Sequence, residues 1–111
     1  MFKVRRKIFV VGIAASKDAE GIVEQLEESA DEFIFTQVSG ERTFHSPAKL
    51  VGLTSKQAFV ETDAKKAVVQ AIRKAGSGDL VCVTGSLYLC GEARRQWLGD
   101  KVALRHHNLR I

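Results

Sequence analysis

The sequence predicts an α/β fold, with helices on both faces of a mainly parallel sheet. Three observations lead there. Short runs of strand-forming apolar residues alternate with apolar stripes at helical spacing, in the order β-α-β-α-β-α-β-α. The runs are unbroken, as in Ile8-Phe9-Val10-Val11, which suits strands covered on both faces. Residues 79–95, DLVCVTGSLYLCGEARR, hold a strand-like run, a Gly85-Ser86 break and a helical pattern from Leu87, which is half of a parallel βα unit.

The first strand lies within residues 2–13. Ser16 is the expected N-cap of the helix that follows, with Asp18 and Glu20 in its first turn, where the helix dipole favours acids. Ala19, Ile22, Val23, Leu26 and Ala30 form its inner stripe, and Glu24, Glu27 and Glu28 its outer face. Gly21 weakens this helix by roughly 1 kcal/mol relative to Ala. Residues 33–36 form the second strand, and residues 37–46 have loop composition. Ser46-Pro47 opens a short helix, Ser as N-cap and Pro at the first helical position, with Leu50 and Leu53 on its inner side. Residues 57–61 make a third, shorter strand around Ala58, Phe59 and Val60. Thr62-Asp63 opens the next helix, whose stripe is Ala64, Ala67, Val68, Ala71, Ile72 and Ala75, and Gly76 ends it. Residues 79–95 supply the fourth strand and helix. Beyond Gly99, Val102, Leu104 and Leu109 suit a final edge strand, and a loose basic extension is the other reading. Right-handed crossovers between such strands give a Rossmann-like, three-layer α/β/α body.

Of the 111 residues, 45% are hydrophobic and 27% charged, the balance of a soluble globular domain. No apolar run approaches the roughly 20 residues of a membrane span, and no signal-type stretch follows the basic start, so the expected location is cytoplasmic. Cys82 and Cys90 lack CxxC spacing and read as reduced packing residues. Trp97 reads as a packing anchor. The net charge of +4 sits at the ends: residues 1–7 carry four basic groups and no acid, and residues 94–111 five basic groups and one acid. The remaining eight basic and twelve acidic groups leave the middle at −4. A nucleic-acid domain would set basic residues along one face of its body, so these ends read as solvated termini and nucleic acid is not an expected partner. His45 stands alone and His106-His107 diverge on a strand. No His/Cys/Asp/Glu cluster has metal spacing, and no Ser/His/Asp order or carboxylate pair is evident, so neither a metal nor a catalytic residue is assigned.

At the end of a βα strand, the strand terminus and the first turn of the helix face one crevice, and that turn's N–H groups suit an anion. Ser86 is the expected N-cap there, its hydroxyl serving either the helix or a ligand. Thr84, Gly85 and Tyr88 share the position. Lys17 and Asp18 follow the first strand and stand at the same rim.

Three segments carry a resemblance: GIAASKDAEGI (12–22), ADEFIFTQV (30–38) and DLVCVTGSLYLCGEARR (79–95). They resemble the C-terminal domain of folylpolyglutamate synthase and dihydrofolate synthase, members of the Mur ligase superfamily, over about residues 5–97. The resemblance implies an ATP-dependent amide ligase. A folate carboxylate is activated as an acyl phosphate, and the amino group of glutamate displaces phosphate. That chemistry needs a phosphate cradle, Mg²⁺ and a site for the amino acid's carboxylates. In the family the cradle and the metal come chiefly from an N-terminal ATP-binding domain, so ATP and Mg²⁺ belong to the complete ligase and this chain is expected to carry no cofactor. The resemblance makes Ser86, Gly85, Thr84, Tyr88 and Arg42 substrate-binding candidates, with glutamate and folate met through the complete ligase. It makes Lys17 and Asp18 nucleotide-contacting candidates. For each the plainer alternative stands: an N-cap at Ser86, an exposed helix start at Lys17-Asp18, a solvated loop arginine at Arg42.

The sequence departs from a whole ligase. It has no GxxxxGK[ST] phosphate loop, and the Asp-Gly-Ala-His-Asn-Pro segment that opens the family's domain is missing. Residues 1–98 are therefore expected to form a partial domain without its first strand-helix unit, and residues 99–111 a basic tail or edge strand. Such a chain is expected not to catalyse on its own. Its uncovered sheet edge is expected to be closed by the tail or by a homodimer. The rival reading is a stand-alone flavodoxin-like binding or interaction module without catalysis.

Overall fold

The computed structural model describes residues 5–38, 43–85 and 102–104. In chain order the elements are β1 (Lys7–Gly12), α1 (Ala19–Glu27), β2 (Glu32–Phe35), α2 (Pro47–Val51), β3 (Gln57–Val60), α3 (Ala64–Lys74), β4 (Leu80–Gly85) and β5 (Val102–Leu104). The five strands form one sheet in the order β3-β2-β1-β4-β5, and every ladder is parallel.

Strand periodicity sorts the side chains into two cores. Ile8 and Val10 of β1, Ile34 of β2, and Val81 and Val83 of β4 pack with Ala64, Ala67, Val68 and Ala71 of α3. Phe9, Val11, Phe33, Phe35 and Cys82 take the opposite face, with Ile22, Val23 and Leu26 of α1 and Leu50 of α2. The three-layer α/β/α arrangement is thus present. Small residues along α3 let that helix lie close to the sheet. Aromatic bulk fills the other side, where Phe33 meets Phe9 edge-on at 6.2 Å and stacks on Phe35 at 5.0 Å.

Two local expectations are corrected. The N-cap of α1 is Asp18, whose Oδ1 accepts from the Gly21 N–H at 3.2 Å, and Ser16 lies two residues upstream in the turn. Leu53 is not on the inner side of α2. That helix ends at Val51 with Gly52 as C-cap, so Leu53 falls past the end and is 37% exposed, while Leu50 is buried. The expected helix from Leu87, together with Cys90, Trp97, His106 and His107, lies outside the described residues.

The basic N-terminal run is more than a solvated end. At the amino-terminal edge of the sheet, the Arg6 guanidinium donates to the Asp79 carboxylate at 3.1 Å and to the Lys74 carbonyl at 2.9 Å. It also lies 3.6 Å from Glu32, which is buried and pairs with Lys74 Nζ at 2.5 Å. These contacts join the start of β2, the end of α3 and the turn before β4. Arg5 extends the clamp, its N–H donating to the Gly78 carbonyl. Gly78 has φ +88°, and a Cβ there would stand 3.1 Å from the Arg5 side chain, so this turn needs glycine for both its conformation and its neighbour. Lys74 Nζ also sits 3.5 Å from the centroid of the Phe59 ring, on the edge strand β3.

Candidate functional site

The chain leaves β1 through α1 to β2 on one side, and α3 carries it from β3 to β4 on the other. Strand order therefore reverses between β1 and β4, and open α/β sheets bind ligands outside the carboxyl ends at such a switch point. Here the two strands end in register, Gly12 beside Gly85. Two residues without side chains stand together at that point of the rim.

Next to this pair, residues 13–18 run from β1 into α1, and the described part of the β2–α2 loop folds against them. Ala14 and Phe44 form an antiparallel bridge. The Ala15 N–H donates to the Thr43 carbonyl and the His45 N–H to the Ile13 carbonyl, each at 2.8 Å. His45 Nε2 lies 2.9 Å from the Lys17 carbonyl. Because a carbonyl only accepts, Nε2 is the donor. Long-range links of this kind between two loops leave no periodic signal, so a solitary histidine such as His45 carries no mark of its contact in the sequence.

Of the candidate residues, Lys17, Asp18, Thr84 and Gly85 lie at this end of the sheet. Ser86, Tyr88 and Arg42 lie outside the described residues. Lys17 is exposed at the rim with its backbone N–H donating to Ala14. Asp18 is exposed and caps α1 with its carboxylate. Thr84 pairs in register with Val11 and is fully buried, so its hydroxyl lies within the sheet layer beneath the rim. Among the described residues its Oγ1 finds no hydrogen-bond partner, and a buried hydroxyl in that state is an unmet polar group.

Two carboxylates away from this rim titrate below their ordinary range. The Gly76 N–H, followed by Arg6, holds the Asp79 carboxyl below the usual carboxylate range against the opposing effect of burial. Glu27 is lowered chiefly by the Thr54 hydroxyl and then by the Ser55 N–H, contacts that tie the end of α1 to the α2–β3 loop. Among the described residues, no three His, Cys, Asp or Glu side chains gather to hold a metal ion. No helix among them is long and apolar enough to cross a membrane.

Comparison with known proteins gives the same architecture. The bifunctional folylpolyglutamate synthase/dihydrofolate synthase of Yersinia pestis, solved with AMPPNP and Mn ion, is similar at 30% identity and a TM-score of 0.69, over 76% of this chain and 20% of its own. E. coli FolC in complex with ADP superposes with a TM-score of 0.72 at 22% identity, over 87% of this chain and 25% of its own. The Mycobacterium tuberculosis folylpolyglutamate synthase complexed with ADP and AMPPCP gives 0.74 at 20% identity, over 90% and 25%. At those lower identities the likeness is one of fold. The chain spans about a fifth to a quarter of the length of these proteins. Comparison with curated protein sequences gives no significant match. The family described as Mur ligase, glutamate ligase domain matches residues 1–87. With a sheet of the same fold and a family match over most of its length, this chain belongs to the Mur ligase glutamate ligase domain family.

Proposed function

We propose that the chain is the C-terminal domain of an ATP-dependent, folylpolyglutamate synthase-like amide ligase acting in the cytoplasm. The observation that carries this reading is the paired end of β1 and β4, Gly12 beside Gly85, at the switch point of a sheet of this family. In the reading, Gly85, Ser86 and Tyr88 hold the carboxylates of the incoming glutamate above the buried Thr84, with Arg42 a further anion contact. The exposed ammonium of Lys17 meets a phosphate of the nucleotide, the kind of charge-assisted contact a phosphate favours. Asp18 acts by fixing the start of α1 beside it.

Bound to the complete ligase, ATP would supply the phosphoryl group that converts the folate carboxylate to an acyl phosphate, with ADP as the other product. The described residues offer no ligand set for Mg²⁺, and the sequence has no GxxxxGK[ST] loop, so no phosphoryl-transfer step is assigned to this chain. Its part is to hold and orient the amino acid and to close on the nucleotide carried by an ATP-binding domain.

Two measurements test this. Purified chain should release no phosphate that depends on ATP and folate together, and such release would overturn the division of labour. Glutamate titrated into isotope-labelled chain should shift the amides of residues 84–88, with a Kd in the millimolar range or weaker, about 4 kcal/mol at best for half a crevice. Shifts confined to the basic ends would show that the rim assignment is wrong.

A further inference from the structure

His45 has no part in the reading above, yet it is the side chain that joins the two loops of the rim. We propose that His45 is a positioning residue, which fixes the backbone of Lys17 so that the Lys17 side chain starts from one place relative to the ends of β1 and β4. The proposal rests on the reading of Lys17 as a nucleotide contact.

The geometry is specific to this position. Both polar backbone groups of Lys17 are engaged: its N–H donates to the Ala14 carbonyl at 3.0 Å, and its carbonyl accepts from His45 Nε2 at 2.9 Å. The backbone that carries the imidazole is itself anchored, because the His45 N–H donates to the Ile13 carbonyl and the nearby Thr43 carbonyl accepts from Ala15. His45 is half-buried between the loops, whereas Lys17 and Asp18 are exposed. A lysine has a long, mobile side chain whose ordering costs rotamer freedom. A fixed Cα reduces what must be ordered when an anion arrives. Without the imidazole, water can satisfy the Lys17 carbonyl, so the fold loses little while the rim loses its fixed geometry.

The test compares wild type, His45→Ala and His45→Gln, since a glutamine amide can replace the Nε2 donor. In the ligand-free chain, amide hydrogen exchange at Ala15 and Lys17 should speed up about tenfold or more in H45A and return toward wild type in H45Q, with exchange in β1 and β4 unchanged. ADP is then titrated into each. Shifts at residues 14–18 in wild type should weaken several-fold in apparent affinity in H45A and recover in H45Q. Unchanged exchange at Ala15 and Lys17 in H45A would overturn the proposal. So would ADP shifts at residues 14–18 of equal affinity in H45A and wild type. Wild-type chain whose residues 14–18 ignore ADP, despite faster exchange in H45A, would instead remove the nucleotide reading of Lys17, and with it the purpose assigned to the latch.

Discussion

Asp79 shows how one side chain gathers several parts of this fold. Its carboxylate accepts from the Gly76 N–H at 2.8 Å and from Arg6 at 3.1 Å, so the ionised form is favoured in the folded chain. The sign of the consequence follows. An unfolded Asp takes up its proton near pH 4, whereas the folded one holds out to lower pH. The interaction therefore contributes fully above pH about 4 and is lost as pH falls through the lowered folded value. Glu27, lowered through Thr54 and Ser55, acts in the same direction and the same range. Urea denaturation at pH 7, 5 and 3 should show stability falling between the last two. Asp79→Asn should start lower and fall less steeply over that interval. Parallel losses in the two proteins would mean that Asp79 does not contribute to the acid limb.

At the scale of elements, the two ways of starting α1 can be told apart. An N-cap carboxylate satisfies one of the orphan N–H groups of the first turn, and replacing it with Ala costs about 1 kcal/mol. Asp18→Ala should therefore lower stability by about that much, while Ser16→Ala should stay within about 0.5 kcal/mol. Equal losses at the two positions, measured by chemical denaturation, would contradict the observed cap. The strands and their order of appearance were legible in the sequence because unbroken runs such as Ile8 to Val11 leave few alternatives. The stripe of α3 was legible for the same reason, since Ala64, Ala67, Val68 and Ala71 are all buried. Helix ends were less so. Ser16 and Asp18 are both good caps, and their choice is made by the Ala14–Lys17 turn and the loop that bridges to Phe44. Leu53 matched the helical period of α2, but Gly52 had already ended the helix. The Arg6–Glu32–Lys74–Asp79 clamp and the His45 latch join residues far apart in sequence, so no local pattern announces them. At the rim, the places of Lys17 after β1 and of Thr84 near the end of β4 were readable from the strand pattern, while the loop-to-loop contacts were not.

At the scale of the whole molecule, the sheet has β3 at one edge and β5 at the other. The β3 edge is short and partly guarded. Phe59 and Val60 are 38% and 44% exposed, but Lys74 covers the Phe59 ring, and a charged group at an edge opposes pairing with other chains. The opposite edge depends on β5, which runs parallel to β4 with Val81 beside Val102, Cys82 beside Ala103 and Val83 beside Leu104. Removing β5 would leave one side of β4 with open N–H and C=O groups, although Val81, Cys82 and Val83 lie at the heart of both cores. A net hydrogen bond is worth roughly 1 kcal/mol, and a buried group left unsatisfied costs about 1–3 kcal/mol. Deleting residues 100–111 should therefore lower the melting temperature markedly, or convert the chain to a dimer in which a second copy covers β4. Ala103→Pro offers a finer version, since proline removes an N–H and fits poorly inside a paired strand. Sedimentation and thermal unfolding, run together on the three proteins, separate the two outcomes. A stable monomer of unchanged melting temperature after both changes would show that β4 needs no strand beside it.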